Sequence, residues 1–122
     1  MKNQFHYIDL SYILEASSKP EFVKKILSVF DREFSELKND IQSQVKTKDY
    51  ESLKKTMHKA KSSVLITSVK NGRETIMEAE NLLKAGKEKD QWLPVLEKFY
   101  KLCEQANQEF KLVLDDLNSK LI

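Results

Sequence analysis

Chain breakers are the scarcest residues of this sequence, with two glycines and two prolines in 122 positions, where average usage gives about 8 and 6. Sandwiches, barrels and glycine-rich phosphate loops depend on residues that reach positive φ or hold φ at a turn value. A chain this poor in both is confined to long, uninterrupted elements. Its few breakers read as punctuation. Ser17-Ser18-Lys19-Pro20 is a helix start, with Ser18 as N-cap and Pro20 in the first turn. Thr47-Lys48-Asp49 offers another cap, Asn71-Gly72 a turn, and Gly86 a C-cap leading into a polar loop.

Between these marks the apolar residues repeat at three- and four-residue steps, the period of a helix with one buried face. Over 20–46 the stripe is Phe22, Ile26, Phe30, Phe34 (or Leu37), Ile41 and Val45. Over 49–70 it is Tyr50, Leu53, Met57, Ala60 and Val64, and over 73–85 it is Ile76, Ala79 and Leu83. From 91 onward Trp92, Leu96, Phe99, Cys103, Ala106, Phe110, Val113, Leu117 and Leu121 make the longest stripe. A short amphipathic piece over Asp9–Ala16 precedes them. The expected fold is one all-α domain over 1–122, an antiparallel up-and-down four-helix bundle with a short additional N-terminal helix. Phe22, Phe30, Phe34, Trp92, Phe99, Phe110 and Cys103 belong to these stripes and are expected in the core.

No run of about 18 apolar residues is present, so no membrane-spanning helix is expected. The opening MKNQFHYIDL has no apolar stretch of the secretory kind, and a single cysteine cannot close an internal disulfide. A cytoplasmic location is the expectation. Charged residues are 33% of the chain, 21 basic against 19 acidic, and the net of +2 suggests an evenly mixed surface. It is not even. From Ser52 to Arg73 there are five lysines, one arginine and no acid, a charge of +6. An anion or an acidic partner is the natural complement of such a stretch.

His58 lies inside that stretch. At about 100° per residue, Leu53, Met57, Ala60 and Val64 fall on the far side of the helix from it, so the imidazole is expected at the surface. On a helix running to residue 70, Lys54, Lys61, Ser62, Leu65 and Val69 all fall within about 60° of His58. Metal binding needs several ligands, and no second His, Cys or carboxylate lies one turn from His58. A triad needs an oxyanion loop and a pocket, which a bundle with so few glycines does not offer. Histidine acting as nucleophile suits the surroundings better. A neutral ring nitrogen can attack phosphorus, and an ammonium one turn away would stabilise charge on the peripheral oxygens.

His58-x-x-Lys61-Ser62-Ser63 on a long helix resembles the signature of histidine-containing phosphotransfer domains, His-x-x-Lys-Gly-Ser/Ala. The likeness extends over nearly the whole chain. Ile13-Leu14-Glu15-Ala16 with Pro20-Glu21-Phe22 and Phe30 is similar to the family's opening helices, Asp49-Tyr50 precedes the histidine helix as in the family, and Glu78–Leu83 resembles its next helix. The family fold is a four-helix bundle with an extra N-terminal helix. The resemblance implies that His58 takes a phosphoryl group from a receiver-domain aspartate and passes it to another receiver, with Lys61 as the phosphate-facing cation. It further implies a response-regulator receiver and a hybrid sensor histidine kinase as partners. Mg²⁺ would come from the receiver, so no cofactor or metal of the chain's own is expected, and no ATP-dependent kinase activity. Ser62 stands where the family has glycine, and Leu65-Ile66-Thr67-Ser68-Val69 is bulkier than the family's small-residue continuation.

Lys54, Ser62, Leu65 and Val69 are the candidate partner-docking residues, although Leu65 and Val69 could equally tuck under a neighbouring helix. A monomer is expected. Two other classes compete: a related bundle that binds a receiver without carrying phosphate, and an anion- or nucleic-acid-binding bundle using the basic stretch. Retention of both His58 and Lys61 argues against the first. Absence of any aromatic residue from 52–73 argues against stacked bases and so against the second.

Overall fold

The computed structural model describes residues 7, 8, 20–63, 66 and 69–120. They form four helices: α1 (Pro20–Lys46), α2 (Tyr50–Lys61), α3 (Gly72–Lys84) and α4 (Lys89–Lys120). The expected N-terminal helix over 9–16, its following cap, His6, Val64 and Leu65 lie outside the described residues, as do the side chains of Phe22, Leu117 and Leu121. The protein is all-helical among the described residues, apart from an isolated antiparallel bridge between Ile8 and Val69. No described helix is long and apolar enough to cross a membrane.

Helix ends follow from the breakers. The αL residue after α1 is Lys48, at φ 59°. Around it Lys48 N–H donates to Val45 C=O at 3.2 Å and Asp49 N–H to Gln44 C=O at 2.9 Å, the paired bonds of a Schellman ending. Asp49 then serves the next helix, its carboxylate accepting from Ser52 N–H at 3.2 Å. After α3 the same ending is built on Gly86 at φ 72°, with Gly86 N–H to Leu83 C=O and Lys87 N–H to Leu82 C=O, both at 3.1 Å.

α1 packs on α2 and α4, and α3 packs on the same two helices, so the four close a ring around one core. Phe30, Phe34 and Ile41 enter it from α1, Leu53, Met57 and Ala60 from α2, Ile76, Ala79 and Leu83 from α3. α4 contributes Trp92, Leu96, Phe99, Cys103, Ala106, Phe110 and Val113, all at most 1% exposed. Phe30 and Phe110 meet edge to face at 4.9 Å, bridging α1 and α4.

One expected boundary is wrong. The periodic run over 49–70 predicts a single helix, and the structure ends α2 at Lys61 with Ser62 as C-cap. Two serines and the β-branched residues Val64, Ile66, Thr67 and Val69 are poor helix formers, and serine side chains compete for backbone groups. Tertiary contacts then decide the path. Ile66 and Val69 are buried in the core, Val69 is bridged to Ile8, and Lys70 N–H donates to Tyr7 C=O at 2.9 Å. Gly72 allows this approach, since a Cβ there would meet Val69 Cβ at 3.0 Å and the Ile66 carbonyl at 3.1 Å.

Candidate functional site

His58 occupies the last turn of α2, off the stripe that Leu53, Met57 and Ala60 bury, and its side chain is 62% exposed. The neighbouring helix α3 supplies what the sequence reading did not identify. Glu80 lies on the core-facing side of α3 with Ile76, Ala79 and Leu83, and its side chain is fully buried. An unpartnered carboxylate there would cost several kcal/mol. It has three partners: His58 Nδ1 at 3.1 Å from Oε2, Lys61 Nζ at 2.9 Å from Oε1, and Lys84 Nζ at 3.1 Å from Oε2.

These partners settle the charge of the site. Burial pushes the Glu80 carboxyl upward, and the contacts with Lys61, Lys84 and His58 together outweigh it, holding the group below its ordinary range. Glu80 is therefore an ionised carboxylate at neutral pH, and an ionised carboxylate only accepts. The proton in the contact at 3.1 Å belongs to His58, whose Nδ1–H donates to Oε2. In the neutral ring Nε2 then carries the lone pair. One helix thus presents the ring and the next fixes its tautomer and orientation.

The other expected site residues are distributed differently. Lys61, 22% exposed, is drawn in against Glu80 rather than extended into solvent. Lys54 shares the helix with His58 and is paired at 3.1 Å with Glu51. Ser62 is exposed and caps α2, its hydroxyl directed to the His58 carbonyl at 3.4 Å. Leu65 lies outside the described residues. Val69 is not a docking residue: it is 2% exposed, bridged to Ile8 and packed toward Gly72. Its expected place beside His58 assumed a helix continuing to residue 70, and the helix stops eight positions earlier than Val69, at Lys61. Lys54 and Lys61 of the basic stretch meet acids from outside it, Glu51 and Glu80.

Glu80 and Lys84 carried a signal that could have been followed. An acid in register with Ile76 and Leu83 on an apolar stripe must be paired, because acids are almost never fully buried otherwise. Lys84, one turn later on α3, is its nearest partner in sequence. Elsewhere, Cys103 is buried on the α4 stripe, and burial pushes its thiol up to about 12. It is a packing residue.

Comparison with protein-family models, curated proteins and solved structures found no match to this chain.

Proposed function

We propose that the chain is a histidine phosphotransfer domain of a multistep phosphorelay, taking a phosphoryl group on His58 from a receiver-domain aspartate and passing it to another receiver. The observation that carries this reading is the anchored imidazole, with Nδ1 held at 3.1 Å by a buried, ionised Glu80 on an exposed side chain. In the forward step the Nε2 lone pair forms a bond to phosphorus, and the P–O bond to the donor aspartate breaks, its electron pair leaving as the free carboxylate. The ring keeps its Nδ1 proton, so no proton transfer is required. The resulting phosphoimidazolium charge faces Glu80, while Lys61 stands at the phosphoryl oxygens. Glu80 is a positioning residue in this scheme, since it acts through the ring.

In keeping with that reading, the connections of three residues between α1 and α2 and four between α3 and α4 suit an antiparallel up-and-down bundle with an N-terminal helix. The partners are a receiver domain, which brings its own Mg²⁺, and a hybrid sensor kinase, with the domain acting in the cytoplasm as a monomer. Incubation with a phosphorylated receiver and Mg²⁺ should give an acid-labile, base-stable phosphoryl group on the wild type and none on His58→Gln. Lys61→Ala should slow transfer without changing helix content. A wild type that stays unlabelled across a panel of receivers overturns the proposal.

A further inference from the structure

Two ammonium groups and one imidazole converge on a single buried carboxylate, and the charges do not cancel. With the ring neutral, Glu80 carries one negative charge against the two positive charges of Lys61 and Lys84. Each ammonium has three donors, and one ion-pair contact with Glu80 does not use them all. Lys84 and His58 share the same oxygen, Oε2, at 3.1 Å each, so Lys84 Nζ and His58 Nδ1 are at most about 6 Å apart. Lys84 is also the more accessible cation, with 49% of its side chain exposed against 22% for Lys61. Its flexible four-carbon stem lets the ammonium move without moving the helix.

We propose that Lys84 is a second phosphate-holding cation, leaving Glu80 Oε2 to contact the phosphoryl oxygens once His58 is phosphorylated. This rests on the reading of His58 as a phosphoacceptor. An incoming group of nearly two negative charges meets a site with one positive charge in excess. Glu80, fully buried, keeps the His58 Nδ1 contact at Oε2 and the Lys61 ion pair at Oε1 when Lys84 moves across. The carboxylate thus acts as a parking place for a lysine that the unphosphorylated site does not use.

Phosphoramidate tests this without any protein partner. Nε2 forms a bond to its phosphorus, the P–N bond of the donor breaks, and ammonia leaves with the electron pair. Lys84→Met should load about three- to five-fold more slowly, the scale of one partly exposed charge. The pH midpoint of its ³¹P resonance should rise, because a nearby cation favours the dianion. Lys84→Arg should restore both, and Lys87→Met should change neither. Loading at the wild-type rate with an unmoved ³¹P midpoint in Lys84→Met, whatever its melting temperature, overturns the proposal. Loading of the wild type from a phosphorylated receiver is measured in parallel. Wild type labelled by phosphoramidate and by no receiver overturns the relay reading while the Lys84 comparison still stands, and wild type labelled by neither overturns both.

Discussion

Glu80 concentrates the consequences of a buried charge at one residue. Its carboxyl is held below the ordinary value of 4.5, so the contribution to stability runs in a definite direction with pH. Above about pH 4.5 the carboxylate is ionised in folded and unfolded chains and the stabilisation is complete. As pH falls below that, the unfolded chain takes up a proton first, and stability declines until the folded carboxyl also protonates. Melting measured from pH 7 downward should therefore show a loss below about pH 4.5 that Glu80→Gln removes. Glu80→Ala should cost about 2 kcal/mol at neutral pH, since charged hydrogen bonds and buried volume both go. Part of this residue was readable beforehand, as an acid in an apolar register. What it holds was not, because His58 and Glu80 lie on helices whose mutual rotation only packing decides.

At the scale of elements, the apolar period carried most of the information. The expected core positions of α4 from Trp92 to Val113 are all buried, because a 32-residue amphipathic helix has one way to hide its stripe. In α2 the same apolar period runs past the end of the helix. Val64 continues its period past Lys61, yet two serines and a β-branched run lower helix propensity just where the chain leaves α2, and Ile66 and Val69 are buried beyond its end. Projecting Val69 onto the His58 face followed from that one overextended boundary. The turn between α1 and α2 carries a different cost. Lys48 sits at φ 59°, where a Cβ is unfavourable by about 1 kcal/mol. Lys48→Gly should raise stability by about 0.5 to 1 kcal/mol in denaturant unfolding, with the Schellman bonds and the Asp49 cap retained.

For the whole molecule, the ring of helices is tied to its own beginning. Glu109 on α4 accepts from Tyr7 N–H at 2.8 Å and Ile8 N–H at 3.1 Å, while Ile8 is fully buried and bridges to Val69. One carboxylate thus fastens the start of the chain to α4 and, through Ile8, to the connection between α2 and α3. Glu109→Ala should cost about 1 to 2 kcal/mol. It should also speed hydrogen exchange at the Lys70 amide, which donates to Tyr7 C=O, more than at amides in the middle of α4. Equal acceleration at both places would show that the fastening has no local effect.

The sole tryptophan has a practical consequence of its own. Trp92 is 1% exposed near the start of α4 and meets the ring of Tyr50, the first residue of the histidine-bearing helix, at 5.8 Å and a steep 78°. Any departure of α2 from α4 admits water to the indole and separates it from its tyrosine donor. The chain therefore carries an intrinsic fluorophore on α4, against the first residue of the histidine-bearing helix, and its emission reports docking of that helix without a label.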